Sequence, residues 1–297
     1  MPQSEFSMVA TLTSNPAAPS LDAGTLNAAA QSVDGPHRAR WLHEGVAADI
    51  FAKDAEALRF LRAALSGLPL DIIIQPTAHR RKMLFLADMD STMIGQECID
   101  ELADFVGVKA HVAAITERAM RGEIAFEPAL RERVALLKGL DANVVERVIA
   151  ERITLTPGGR ALVQTMRANG AYTALVSGGF TLFTGKIGPT LGFHEHRSNL
   201  LNVENGAFSG TVTEPILGKE AKLAALIELR AKFGLEAALT MAVGDGANDL
   251  AMLGEAGLGV AFHAKPKVAE AAHARIDHSD LSALLYAQGY HLSEFAA

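Results

Sequence analysis

The sequence predicts an α/β fold: a doubly wound parallel sheet with a helical cap insertion, preceded by a smaller α+β unit of ferredoxin-like order. Three observations lead there. From about residue 156 onward, short apolar runs alternate with helical stretches, and repeated strand-then-helix units imply a parallel sheet covered on both faces. Four helical stretches in a row interrupt that pattern after its first strand, at 83–87. The first 80 residues instead read β-α-β-β-α-β.

In the N-terminal unit, residues 8–12 form a candidate strand, and 21–33 carry apolar and small polar residues at helical spacing. Residues 39–42 and 47–51 read as short strands separated by Gly45. Over 54–65, Ala57, Leu58, Leu61 and Leu65 recur three or four apart behind Asp54, an N-cap residue type, which predicts one amphipathic helix. A β-branched run at 71–75 closes the unit. Nothing in it looks catalytic. Residues 76–82, a proline followed by His79, Arg80, Arg81 and Lys82, read as a solvated linker, with phosphate binding by the basic cluster as the alternative. The domains are therefore expected at 1–80 and 81–297.

The cap is expected at about 96–155. Its helical segments, 97–105, 108–120, 126–137 and 142–151, are punctuated by Gly107, Gly122 and Gly139 and read as a lid over the sheet edge. Beyond it, 159–169 reads as a helix closed by Gly170, 172–176 as a strand and 181–191 as a helix. Residues 200–203 and 207–212 flank Asn205-Gly206, a hairpin signal. A helix at 219–233, a strand at 239–243, a helix at 250–256, a strand at 258–262 and a helix at 268–274 complete the pattern.

Composition narrows the function. A formal net charge of -7 with no offsetting basic block argues against a nucleic-acid partner. A hydrophobic content of 49% supports a full core, and no stretch reaches the ~18 apolar residues of a membrane span. Residues 1–14 lack the basic start and apolar run of a signal peptide. Cys98 is the one cysteine, so no internal disulfide can form and a reducing compartment fits. These features predict a soluble, cytoplasmic protein with no nucleic-acid or membrane partner, and are compatible with a homodimer.

Three apolar strands end in polar turns: Asp88-Met89-Asp90-Ser91-Thr92, Ser177-Gly178-Gly179, and Gly244-Asp245-Gly246-Ala247-Asn248-Asp249. In an open parallel sheet, ligands bind at that edge. Two carboxylates one residue apart at a buried strand end need a metal or a cationic side chain to hold them. The bland reading of a single Asp is a turn residue; for the whole ordered set, with Lys222 on the helix between the last two turns, function is the better account.

Together with Glu97, Met120, Phe126 and Arg133, these motifs resemble the haloacid dehalogenase superfamily of phosphotransferases over roughly residues 82–285, and within it the branch that hydrolyses phosphoserine. The resemblance implies Asp88 as a nucleophile forming an aspartyl-phosphate, and Asp90 as general acid and base. It implies Mg²⁺ bound by the Asp88 and Asp245 carboxylates and the Asp90 main-chain carbonyl, with Asp249 supporting its water shell. Ser177 and the Gly178 amide would bind phosphoryl oxygens, Lys222 would balance charge, and Asn248 would position substrate. In the cap, Glu97 would meet an ammonium, Arg133 a carboxylate, and Met120 and Phe126 would form an apolar wall. The resemblance also implies serine biosynthesis, and an N-terminal unit related to amino-acid-binding regulatory modules. Taken alone, Lys222 would be a surface lysine, Glu97 a solvated acid at a helix start and Arg133 an exposed helical arginine. The competing readings are transfer of the phosphoryl group to another acceptor, and an amino-acid-sensing protein.

Cys98 has Asp104, not an arginine, six positions later, so it reads as a buried structural thiol. His194 and His196 alternate and are expected as surface-loop residues rather than a second metal site. His263 and His278 carry no signal. Ser91 and Thr92 are expected to stabilise the turn.

Overall fold

Alternation along the first strand decides how the N-terminal unit packs. The structure, a computed structural model, describes residues 6–120 and 123–296. Strand β1 (Met8–Thr13) is followed by α1 (Ala23–Gln31), β2 (His37–His43), β3 (Ala47–Ala52), α2 (Leu61–Ala64) and β4 (Asp71–Pro76). The strands form an antiparallel sheet of order β2-β3-β1-β4. Ala10, Leu12, Ala48 and Ile50 turn to one face and pack under α1 and α2 against Leu26, Ala29, Leu58 and Leu61. Thr11, Thr13, Asp49, Asp71, Ile73 and Gln75 turn to the other face and are also buried.

That second face meets the rest of the chain, which corrects the reading of 76–82 as a solvated linker. Arg80 is buried; it donates through Nε to the Ala287 carbonyl (2.7 Å), through Nη1 to Asp49 Oδ2 (2.8 Å), and through Nη2 to Thr11 Oγ1 (2.9 Å) and the Tyr286 carbonyl (3.0 Å). Lys82 is buried as well and donates to the Ala238 carbonyl at 2.8 Å. Burial lowers its ammonium to about 8. The Asp71 carboxylate accepts the main-chain N–H groups of Asp277 (2.7 Å), His278 and Ser279 (2.8 Å). Gln75 Nε2 donates to the Ala287 carbonyl at 2.7 Å. The helix expected over 54–65 is likewise corrected. Asp54 does cap Ala57 N–H at 2.9 Å, but a 3₁₀ turn at Glu56–Leu58 is separated from the single turn of α2.

Strand β5 (Leu84–Ala87) opens the second body. The insertion after it holds α3 (Cys98–Phe105), α4 (Lys109–Met120), α5 (Phe126–Ala135) and α6 (Val144–Glu151). The chain continues through α7 (Gly159–Ala168), β6 (Tyr172–Phe180), α8 (Thr181–Leu191), β7 (Glu195–Asn199), β8 (Leu201–Glu204), β9 (Ala207–Val212), α9 (Lys219–Lys232) and β10 (Thr240–Gly244). It ends with α10 (Leu250–Glu255), β11 (Leu258–Phe262), α11 (Pro266–Ala271), β12 (Ala274–Ile276) and α12 (Ala283–Ala287). The six-stranded sheet is parallel throughout, in the order β12-β11-β10-β5-β6-β7. Leu84, Leu86, Ala174, Val176 and Ala242 pack on one face with Ala225, Leu226 and Leu229 of α9. Phe85, Ala87, Leu175 and Val243 pack on the other with Leu162, Val163 and Met166 of α7 and Phe183 of α8.

Two strands were not expected. Residues 195–199 (Glu-His-Arg-Ser-Asn) contain no apolar side chain, yet they form the edge strand β7. His196 lies on it and pairs through Nδ1 with Thr184 Oγ1 at 3.0 Å, so it is not a surface-loop residue; His194, exposed in the bend before β7 with its Nδ1 3.1 Å from Thr173 Oγ1, is one. The helix expected at 268–274 stops at Ala271, and Ala274 begins β12. The hairpin of β8 and β9 is its own two-stranded sheet and binds the cap: Gly139 N–H donates to the Phe208 carbonyl at 2.8 Å, and Ala142 N–H to the Gly206 carbonyl at 2.9 Å.

Candidate active site

The strand register sets the site. Val243 of β10 pairs with Ala87, and Ala87 pairs with Leu175 of β6, so the residues that follow these three strands emerge side by side at one edge. β5 lies between the other two, which places Asp88 centrally.

Asp88 is extended and buried, and its Oδ1 accepts the Met89 N–H at 2.7 Å. Its Oδ2 lies 2.7 Å from Lys222 Nζ, which is also 2.7 Å from Asp249 Oδ1. Lys222 is fully buried, so the surface-lysine reading is excluded. Burial alone would lower its ammonium, but Asp249 and Asp88 hold it above its ordinary value. Burial, then the charge of Asp249, pushes the Asp88 carboxyl well up, against the pull of Lys222. Burial and Asp249 push Asp245 up to about 7. Asp88, Asp245 and Asp249 can each offer an oxygen within 4.8 Å of the others, so three acids share one ammonium. That surplus negative charge and all-oxygen donor set suit a hard divalent cation.

After Asp88 the chain turns sharply. Asp90 is extended (φ −65°, ψ 138°) and Ser91 takes a left-handed conformation (φ 53°). The turn aims the Asp90 side chain toward α3, where Oδ1 accepts the Cys98 N–H at 3.1 Å. Burial and the nearby Glu97 raise its carboxyl to about 7, while the Cys98 N–H opposes the rise. Ser91 and Thr92 do more than stabilise the turn: Ser91 Oγ donates to Glu97 Oε1 at 2.7 Å, and Thr92 Oγ1 to Asp245 Oδ1 at 3.0 Å. Their reach to residues across the cleft carries no local signal in the sequence. Cys98 is buried, as expected, and burial pushes its thiol up.

On the β6 side, Ser177 is buried and its Oγ accepts the Gly179 N–H at 2.9 Å. A side chain on Gly179 would meet Asp90 Oδ2 at 2.7 Å, so the site needs glycine there. Asn199, which sequence reasoning missed, donates to the Gly178 carbonyl at 2.8 Å and accepts the Leu217 N–H at 2.7 Å, joining two walls. On the β10 side, Asp249 Oδ2 accepts the Gly246 N–H at 3.1 Å.

A cavity of about 600 Å³ lies over these groups. Its floor includes Asp88, Asp90, Ser177, Gly178, Asp245 and Asn248, and its cap wall Glu97, Phe126 and Arg133. Lys222 and Asp249 lie beneath the floor. Arg133 is buried rather than exposed; Nε donates to the Ala129 carbonyl at 3.1 Å and Nη1 to Thr116 Oγ1 at 2.9 Å. Burial holds its guanidinium below the usual value, and Glu97, Asp100 and Asp90 oppose that shift. Phe126 begins α5 and its ring faces Gly178 and Gly218 across the cleft. Met120 ends α4, and its side chain lies outside the described residues.

Residues 85–254 match the family model of the haloacid dehalogenase-like hydrolases. A phosphoserine phosphatase of a Polaromonas species is 47% identical over 207 residues, 68% of this chain and 88% of the relative. A solved phospho-aspartyl intermediate analogue of phosphoserine phosphatase is 41% identical, superimposes with a TM-score of 0.66, and covers 69% of this chain and 98% of its own. A probable phosphoserine phosphatase from Vibrio cholerae, solved unliganded, is 31% identical with a TM-score of 0.77 over 97% of this chain and 88% of its own, so that likeness extends through the N-terminal unit.

Proposed function

The chain belongs to the haloacid dehalogenase-like hydrolases, and from that premise we propose that it is a phosphoserine phosphatase, releasing serine and phosphate through an aspartyl-phosphate on Asp88. One observation carries the substrate: the cavity that holds Asp88 is walled by a carboxylate, Glu97, and a buried guanidinium, Arg133. Phosphoserine presents an ammonium and a carboxylate beside its phosphate, and the ammonium and carboxylate each find a partner of opposite charge there.

Lys222 holds the Asp88 carboxylate by its Oδ2 and offsets part of the charge that gathers as substrate enters. Asp88 attacks phosphorus in line, and the phosphorus–oxygen ester bond breaks. Asp90 gives its proton to the departing serine oxygen; an acid poised at about 7 can do this near neutrality. Water then attacks the aspartyl-phosphate, Asp90 takes its proton, and phosphate leaves with Asp88 regenerated. Ser177 and the Gly178 amide bind the phosphoryl oxygens, and Asn248 helps position substrate. Phe126 excludes water. A Mg²⁺ ion would be held by the Asp88 and Asp245 carboxylates and the Asp90 carbonyl, with Asp249 supporting its water shell, and would supply withdrawal of charge from the phosphoryl group.

Steady-state rates on a panel of phosphomonoesters test this reading. We expect kcat/KM for phosphoserine to exceed that for O-phosphoethanolamine, which lacks the carboxylate, by about tenfold or more. Equal values for the two would refute the amino-acid claim.

A further inference from the structure

A second cavity, of about 560 Å³, opens where the N-terminal sheet meets the last turns of the chain. It shares no lining residue with the cavity over Asp88. Arg40 of β2, His79, Arg80 and Arg81 of the segment after β4, and Gln288 and Glu294 beyond α12 stand in its wall. No apolar side chain lines it.

Three guanidinium groups reach this space, and two carboxylates answer them. Asp49 is fully buried and its Oδ2 accepts from Arg40 Nε at 3.0 Å and from Arg80 Nη1 at 2.8 Å, so one acid serves two arginines. Gly289 lets Arg80 lie this close to the turn, since a Cβ there would meet Nη1 at 2.9 Å. Arg81 lies over the Tyr290 ring, 4.0 Å from its centroid, and donates through Nη2 to Glu294 Oε1 at 2.6 Å. Both members of that pair are exposed, and such pairs are weak enough to be exchanged for a better acceptor. Among the described residues, Nη1 of Arg40, Nε and Nη1 of Arg81 and the His79 ring make no hydrogen bond. Positive charge in surplus and uncommitted N–H donors thus meet in one concave, polar space, in a chain whose net charge is -7.

We propose that this cavity binds a small, hydrophilic, phosphate-bearing molecule, its phosphate oxygens accepting from Arg40, Arg81 and His79. Guanidinium groups present paired N–H donors that match phosphate oxygens. The one aromatic ring beside the cavity, Tyr290, is already covered by Arg81, which leaves no face on which a nucleic-acid base could stack. Arg40 belongs to the N-terminal sheet and Arg81 to the segment that joins it to the second body, so an occupant ties the two together. The site does not depend on the phosphoserine reading.

The test is equilibrium dialysis of inorganic phosphate against the intact chain, with Mg²⁺ present and ionic strength held constant with KCl, beside inhibition of turnover by phosphate. We expect two phosphates per chain, one of them the competitive inhibitor. Arg81→Gln should weaken the other about tenfold, the loss of one charge-assisted contact. His79→Asn, which suits the left-handed backbone there (φ 55°), should weaken it about threefold. Both residues are exposed, and kcat and the inhibition constant should stay within twofold of the parent in both variants. On an Asp88→Asn background, where phosphoserine is not consumed, tighter binding of phosphoserine than of phosphate at the Arg81-dependent site assigns it to a phosphomonoester, and equal binding assigns it to free phosphate. One phosphate per chain in the parent, a second phosphate that both variants bind as tightly as the parent, or its displacement by equimolar chloride overturns the proposal.

Discussion

Two side chains show how the site is built from unfavourable placements. Lys222 lies fully buried between Asp88 and Asp249. Replacing it with Met leaves both acids without their ammonium, and breaking a buried pair in this way costs about 3–5 kcal/mol. The expected outcome is a large drop in the urea midpoint of Lys222→Met together with loss of turnover; a midpoint unchanged from the parent would show that the ammonium is not the acids' main counterion. Asp100 gives the opposite sign. Its carboxyl rises from 3.8 to about 6 through burial and the charge of Glu97. The folded state therefore binds the proton more tightly than the unfolded chain, and stability attributable to this group is present below the unfolded value and lost as pH rises toward 6. Asp100→Asn removes that loss. Its melting temperature relative to the parent should climb between about pH 4 and about pH 6 and then level off. A flat difference across that range would contradict the assignment.

At the scale of elements, the apolar strands β5, β6, β10 and β11 and the polar turns that end three of them were legible because burial on both faces demands uninterrupted hydrophobic runs. The cap helices were legible from their spacing. What escaped prediction was set by partners rather than by local pattern. β7 has a polar sequence, yet it is stabilised by β6 on one side and by the buried Thr184 of α8, whose hydroxyl bonds to His196 and Ser198 of the strand. β12 is three residues long and follows an alanine-rich turn of helix. Ser91 and Thr92 bond to Glu97 and to Asp245, the latter 153 positions away in sequence, and no window around the turn could reveal that. The β6 turn also makes a sharp prediction. Gly179→Ala would press a methyl group on Asp90 Oδ2, so single-turnover formation of the phosphoenzyme should slow by about 100-fold, since a small misplacement of a reacting group is costly. Thermal stability measured alongside should change far less. Parent-like phosphoenzyme formation in that variant would mean that Asp90 can move without consequence.

Across the whole molecule, the N-terminal sheet is not hung on a tether. Arg80 and Asp49 form an ion pair inside the junction, Asp71 receives the turn after β12, and His43 Nδ1 meets the Tyr286 hydroxyl at 2.7 Å. The basic cluster in the sequence announced a solvated spacer because a buried arginine is recognisable only when its acceptors, which come from β1, β3 and α12, are known. Trp41 is the only tryptophan and lies on β2, so its fluorescence reports the N-terminal sheet while far-UV circular dichroism reports mainly the helices of the other body. The two signals should give coincident urea transitions in the parent protein. Arg80→Ala strands Asp49 in the junction and should shift both curves to lower urea, the fluorescence more. Separate transitions in the parent would mean that the junction does not couple the two bodies.

The single thiol gives the molecule an internal gauge. Cys98 is 1% exposed, and its main chain is bonded to Asp90 at the seam where the cap leaves the sheet. With no other cysteine to react, the alkylation rate of the native protein by a small uncharged maleimide measures how often that seam opens. A slow-turnover phosphoserine analogue that draws cap and sheet together should lower that rate, and the ratio of the two rates gives the free energy by which the ligand favours the shut state, without an engineered label.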